Sequence, residues 1–189
     1  HRFSLDPRRD IQVLTPMHKG PVGVMNLNRE LQDLLNPRGP GLTRGAVQYR
    51  QSDRVMQMRN NYDLGVYNGD IGWIEEIDQE QRTASVRFDE RIVSYGWADL
   101  DQLGLSYACS IHKSQGSEFP AVITVLHAQH FLLLKRTLLY TAVTRARRLA
   151  VLVGSRRALA MAVKNVGTSA RTTRLSSLVR AACEKETAS

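Results

Sequence analysis

Two apolar runs near the carboxyl end set the architecture: AVITVL at residues 121–126 and LAVLVG at residues 149–154. Neither alternates with polar residues, so each is expected to be a strand covered on both faces, as in a parallel sheet. Parallel neighbours need a crossover, and residues 132–147 between them carry helical spacing with a basic end, which suits the negative carboxyl end of a helix dipole. A second strand and helix open the chain. IQVL at residues 11–14 stops at Thr15-Pro16 and a loop, MHKG, follows. From Pro21, suited to a first helical turn, Val22, Met25, Leu31, Leu34 and Leu35 fit one helix face until Asn36-Pro37 ends it. Ser155 is a fair N-cap for RRALAMAVKN, and a last basic helix is expected from about Arg174 to Glu186. The expected fold class is α/β, a doubly wound parallel sheet.

The middle of the chain has a different texture. NPRGPGLTRG, residues 36–45, reads as an exposed connector, and DRVMQM, residues 53–58, alternates as a half-buried strand should. DIGWIEEI, TASVRF and IVSYGW then follow at about ten-residue intervals, the signal of a small all-β barrel or meander. Asp99 to Gly104 is expected to form one helical turn that returns the chain to Leu105. Some forty residues cannot bury a large core, so this insert should lean on its host. The expected division is 1–62 and 104–189 for the α/β unit and 63–103 for the insert.

The 189 residues suffice for one domain with a small insert, and no apolar run approaches the ~20 residues of a membrane span. The opening HRFSLDPRRD has no secretory pattern and reads as a chain entered partway. Cys109 and Cys183 lack metal-ligand spacing and are expected to be reduced structural thiols in a cytoplasmic protein. The net charge of +8 invites a polyanion, but the excess is local: residues 135–189 carry +10, whereas residues 63–101 carry −7.

Chemistry concentrates in LSYACSIHKSQGSEFP, residues 105–120, where a strand runs into polar donors and a single glycine before the next apolar run. That pattern suggests a site at the carboxyl ends of strands. Ser110, His112, Lys113 and Ser114 can donate to a nucleic-acid backbone, while Gln115 and Gly116 can meet a nucleotide phosphate. Glu118 can accept from a ribose hydroxyl or order a cation. Arg145, in YTAVTRARR, is placed to be held at a sheet edge while Arg147 and Arg148 face water. A fixed guanidinium can stabilise charge on a transferring phosphoryl group; the alternative is a solvated helix end. Tyr67, Trp73, Tyr95 and Trp97 either stack on a base or form the core of the insert.

SIHKSQGSEFP resembles the fifth motif of superfamily 1 helicases and LLYTAVTRARR the sixth, separated by an apolar strand and a helix as in that family. VLTPMHKGPVGVMNLNRELQDLLNP and DRVMQMRNNYDLGVYNGDIG resemble the corresponding parts of RecD-like helicases, the exodeoxyribonuclease V alpha-subunit family, and the insert then corresponds to their SH3-like subdomain. The resemblance covers about residues 11–155. It implies a RecA-like second motor domain of an ATP-dependent 5′→3′ DNA helicase of repair and recombination. Arg145 would be the arginine finger, Gln115, Gly116 and Glu118 would lie on the nucleotide side, and Ser110, His112, Lys113 and Ser114 would face single-stranded DNA with Thr15, Met17 and Lys19. Implied partners are the N-terminal motor domain and subunits of a helicase–nuclease complex. The chain departs from the family in lacking a GxxxxGK(S/T) phosphate loop. ATP and Mg²⁺ should therefore be held mainly by the other motor domain, and this chain alone should not hydrolyse ATP. Asp89-Glu90 imitates a Mg²⁺-binding acidic pair but falls in an expected hairpin turn, and no metal site is expected. The competing readings are a non-enzymatic binding module and a helicase of opposite polarity or RNA substrate.

Overall fold

The structure, a computed structural model, describes residues 3–166. The helix expected over 174–186, and Cys183 with it, lie outside the described residues. Four parallel strands form the first sheet: β1 (Ile11–Thr15), β9 (Ala108–Ser110), β10 (Phe119–Leu126) and β11 (Ala146–Gly154), in the order β11-β10-β1-β9. Register runs Val13 to Ile123 on one side and Val13 to Ala108 on the other. One face packs Leu14, Cys109 and Val122 against Leu138 and Ala142 of α2 (Arg136–Val143). Next to it, α3 (Arg156–Lys164) seats Ala158 and Ala162 on Leu126 and Leu134. The Ser155 hydroxyl accepts from the Ala158 amide at 3.1 Å and caps α3 as expected.

The second sheet is antiparallel: β4 (Arg54–Gln57), β5 (Ile71–Asp78), β6 (Thr83–Phe88), β7 (Arg91–Gly96) and β8 (Leu103–Leu105), in the order β7-β6-β5-β4-β8. A 3₁₀ turn, Asp99–Gln102, leads into β8. The three middle strands fall where the alternating sequence puts them. The span 36–45 differs from expectation: Gly41–Arg44 is strand β2, paired with β3 (Val47–Arg50). Its Leu42 and Tyr49 belong to the same core as Val55, Ile74, Val86 and Tyr95, and the Tyr49 hydroxyl donates to the Leu103 carbonyl at 2.7 Å. A three-strand meander offers too little apolar surface to close its own core, so it recruits this hairpin, β4 and β8. For the same reason Arg54–Gln57 is buried at every position, not half-buried.

Helix α1 (Val24–Leu35) overturns the expected apolar face. Met25 is 62% exposed and Leu34 74% exposed, and the residues the helix buries are Asn28 and Gln32, with Asn36 at its carboxyl cap. These amides recur every four residues on one stripe. The Asn28 side chain accepts from the Ala108 amide and donates to the Ala108 carbonyl, both at 2.8 Å. It thus satisfies the outer edge of β9, which would otherwise be an unpaired edge strand. Gln32 and Asn36 both donate to the buried carboxylate of Asp53, at 2.6 and 2.8 Å. The helix lies against polar backbone, so amides and not leucines make the contact. Two further spans differ. The 132–147 helix is only Arg136–Val143, because residues from Ala146 onward pair with β10, and β11 is an outer strand whose Val153 is 50% exposed.

Replacing Asn28 by alanine leaves two backbone groups of Ala108 without partners and is expected to cost about 2 kcal/mol or more in denaturant unfolding. Leu34→Ala, at an exposed position, should change stability by no more than about 0.5 kcal/mol. The opposite ranking would restore the apolar-face reading of α1.

Candidate functional site

Strand β9 ends at Ser110 beside Thr15 of β1, and the next strand, β10, begins at Phe119 beside Ala146 of β11. Residues 111–118 therefore carry the chain from the carboxyl edge of the sheet to its amino edge. The sequence pattern points to the carboxyl edge alone; the structure divides the candidates between the two edges. Turn hydrogen bonds from Ser114, Gln115 and Ser117 amides to the carbonyls of Ser110, His112 and Ser114 wind the crossover tightly. Ile111 anchors it in the core beside Leu14 and Leu138.

At the carboxyl edge, Thr15, Ser110 and Ser114 are buried, and their hydroxyls are used inside the protein. Thr15 donates to the Val22 carbonyl at 2.7 Å, Ser114 donates to the Ile111 carbonyl at 2.8 Å, and Ser110 accepts from the Lys113 amide at 3.2 Å. These hydrogen bonds hold the shape of the loop. His18, Lys19, Ser110 and Lys113 line one groove of about 860 Å³ between α1 and the β2–β3 hairpin, with Met25, Met56 and Met58 among its apolar walls. The loop holding Met17 and Lys19 is fixed by α1, whose first amides, from Val24 and Met25, donate to the carbonyls of Met17 and His18 at 2.9 and 3.1 Å. Lys113 reaches the insert: its ammonium lies 3.4 Å from Asn68 Oδ1 and 3.3 Å from Met58 Sδ. Partial burial pushes its pKa below the ordinary lysine value. His112 faces a different, smaller groove of about 300 Å³, which it shares with Gln115, Lys135 and Thr137. The structure thus parts His112 from Lys113 and places it with Gln115.

At the amino edge, Arg145 follows α2 directly. Its carbonyl accepts from the Phe119 amide at 2.8 Å, which ties it to the start of β10. The guanidinium donates to Ser117 O at 3.1 Å, Thr141 O at 3.2 Å and Thr144 Oγ1 at 3.3 Å. Among the described residues it pairs with no carboxylate. Neutral oxygens hold its plane and leave its charge uncompensated. Arg147 instead pairs with Glu118 at 2.9 Å, and Arg148 donates to the Phe3 carbonyl at 3.3 Å. Glu118 is exposed, and with Ser117 it lines a pocket of about 550 Å³ beneath the insert, with Arg54, Trp73 and Arg91. Gly116 is exposed, with φ at +87° and open space where a Cβ would stand.

The aromatics part company. Tyr95 is core, its hydroxyl donating to Gln57 Oε1 at 2.9 Å; Trp97 is stacked between the guanidiniums of Arg44 and Arg82, at 4.0 and 4.3 Å. Tyr67 is 49% exposed and meets Tyr62 edge-on at 6.1 Å. Two residues of consequence escape the sequence reading. Asp53 is one. Arg54 is the other: 3% exposed, it donates to the Ile11 carbonyl at 3.0 Å, stacks near Phe119, and burial takes its pKa down to about 10. Both sit at the start of a strand-like run, where alternation does not reveal that each position is buried. Asp89 and Glu90 form the turn between β6 and β7, as expected. Among the described residues no group of three or more His, Cys, Asp or Glu stands together as a metal site. No described helix is long and apolar enough to cross a membrane.

Residues 27–88 match the family described as the ATP-dependent RecD-like DNA helicase SH3 domain, and residues 105–153 match the UvrD-like helicase C-terminal domain. The ATP-dependent RecD2 DNA helicase of Deinococcus radiodurans is 42% identical over 137 residues, 72% of this chain. The RecBCD enzyme subunit RecD of Mycobacterium tuberculosis is 33% identical over 160 residues, 85% of this chain. The chain spans only 19% of the first relative and 27% of the second. In fold it is similar to Bacteroides Pif1 bound to single-stranded DNA, with a TM-score of 0.54 at 21% identity over 80% of this chain and 42% of that one. A structure of two coordinating Pif1 helicases at forked double-stranded DNA gives 0.55 at 20% identity, over 78% of this chain and 39% of that one. A parallel α/β sheet carrying an SH3-like insert is therefore the fold that the sequence pattern predicts.

An alanine at Gly116 must hold the left-handed conformation and is expected to cost roughly 1–2 kcal/mol in unfolding experiments, with no steric clash to add to it. A neutral result would show that the crossover can rewind at that point.

Proposed function

We propose that this chain, which is 42% identical over 72% of its length to a RecD2 DNA helicase, is the second, C-terminal motor half of an ATP-dependent DNA helicase of the RecD-like family moving 5′→3′ on single-stranded DNA. The observation that carries the reading is the guanidinium of Arg145, fixed by three neutral oxygens and unpaired with any described carboxylate. Such a group is preorganised for charge that develops on a phosphoryl group supplied from outside. In this reading ATP lies between this chain and a first motor domain, which supplies the phosphate loop and the Mg²⁺ ligands. Arg145 completes the site when the cleft closes. Gln115, Gly116 and Glu118 lie along the crossover that leads to the nucleotide, and Glu118 exchanges Arg147 for its ligand.

Lys19 and Lys113 would meet DNA phosphates directly and His112 from the neighbouring groove. Thr15, Ser110 and Ser114 act by shaping the loop, and Met17 by holding the turn that carries Lys19. The larger groove combines cations at Lys19, Arg29, Arg50 and Lys113, which suit phosphates, with apolar walls at Met25, Met56 and Met58, which suit bases. For the domain division we keep the motor at 1–62 and 104–189, with the SH3-like insert at 63–103 drawing on the β2–β3 hairpin and β4 for its core. Closure on ATP would shift residues 111–118 as a unit and change the grip on DNA by population shift. A role in repair or recombination, a cytoplasmic setting and a helicase–nuclease assembly follow from the same reading.

In the full-length protein, Arg145→Ala is expected to lower kcat for ATP hydrolysis by about 10³ or more while nucleotide binding changes little, and Arg145→Lys should not restore turnover. Wild-type turnover in Arg145→Ala would refute the finger. Residues 3–166 purified alone should show no turnover, and hydrolysis by that fragment would refute the shared site.

A further inference from the structure

We infer that Asp53 is a positioning residue that makes the SH3-like insert and the DNA-side crossover move as one body, so that it sets how strongly single-stranded DNA stimulates ATP turnover. The inference rests on the proposed helicase function. Asp53 is fully buried at the turn between β3 and β4, and each of its oxygens accepts two hydrogen bonds. Oδ1 accepts from Asn36 Nδ2 at 2.8 Å and from the Tyr107 hydroxyl at 2.9 Å. Oδ2 accepts from Gln32 Nε2 at 2.6 Å and from the Arg50 amide at 2.7 Å. All four partners are neutral donors, and among the described residues no cationic side chain is paired with this carboxylate.

An ion pair tolerates sliding; four directed bonds do not. They come from α1, from the β2–β3 hairpin that shares the insert's core and from the link between β8 and β9. Tyr107 directly precedes β9, whose last residue, Ser110, accepts from the Lys113 amide. The same helix that supplies Gln32 and Asn36 clamps the far edge of β9 through Asn28. A second contact between the same two bodies lies at the other end of the crossover's first turn, where Lys113 meets Asn68 of the insert and Met58 just past β4. A strand fastened to the insert at its root, and a crossover touching the insert at its tip, cannot shift independently of it. DNA held in the groove between α1 and the hairpin would thus be sensed by residues 111–118. Asparagine cannot replace Asp53 here, because its NH₂ would face two donors.

The test uses the full-length helicase. Tyr107→Phe removes one donor to Asp53, and Tyr95→Phe removes a similarly buried tyrosine hydroxyl that bonds to Gln57 of β4 and touches neither Asp53 nor the crossover. ATP turnover is measured against single-stranded DNA concentration, with thermal unfolding in parallel. The expected result is a drop of about fivefold or more in DNA stimulation for Tyr107→Phe, as loss of a typical coupling energy would give. The KM for ATP should hold, and Tyr95→Phe should keep its stimulation at a comparable loss of melting temperature. Gln32→Ala, which removes a different donor to the same carboxylate, should reproduce the Tyr107→Phe loss and serves where that variant does not fold. Equal stimulation in all three variants, or equal loss in Tyr95→Phe, overturns the inference alone. A wild-type enzyme whose turnover ignores single-stranded DNA overturns the functional reading and the inference with it.

Discussion

The path from β9 to β10 has to pass β1, which lies between them, and it has only residues 111–118 in which to do so. A parallel crossover usually takes a dozen residues or more. Here the chain manages with a tight series of turns, pinned through Ile111 and Ser114, and no slack remains between the edge that holds Ser110 and the edge that holds Arg145. The two edges are thereby joined by one rigid element. Lys113 stands at one end and Ser117, whose carbonyl accepts from Arg145, at the other.

The supports around this element are unusually polar. A buried carboxylate at Asp53, a buried guanidinium at Arg54 and the amide stripe of α1 occupy positions where an ordinary α/β unit would place aliphatic side chains. Burial outweighs the four hydrogen bonds and holds the pKa of Asp53 above the ordinary carboxylate value, and among the described residues no cationic side chain is paired with it. Such contacts contribute less than leucine packing to stability and more to register, because each bond has one direction and one length. The insert's own core, from Leu42 to Leu103, is by contrast conventional.

Much of this was legible in the sequence, and its failures have a common cause. Continuous β-branched runs located β10 and most of β11, and regular turn spacing located β5, β6 and β7; all but β11 are stabilised by what their own residues bury, whereas β11 is held by its pairing with β10. Helix α1 was found, but its orientation was not: Leu34 looked like core and Asn28 like surface. The reason is that its neighbour is the backbone edge of a strand, which periodicity does not anticipate. The β2–β3 hairpin was hidden in a glycine- and proline-rich stretch, since its partners are distant in the chain. Of the candidate site, Arg145 is fixed by neutral oxygens, Lys113 and Lys19 line one groove, and none of the three pairs with a described carboxylate. The Thr15 and Ser114 hydroxyls are donated to backbone carbonyls, and the separation of His112 from Lys113 follows from the winding of the crossover, which residue types alone do not reveal.

The most direct measurement on the central claim, that one rigid crossover serves both ligands, is amide hydrogen exchange of residues 110–118 in the full-length protein. Single-stranded DNA and a non-hydrolysable ATP analogue are added separately. The account predicts that each ligand alone slows exchange of the Ser114, Gln115 and Ser117 amides, which close the turns of the crossover. Protection confined to residues near Ser110 with DNA, and to residues near Ser117 with nucleotide, would contradict it.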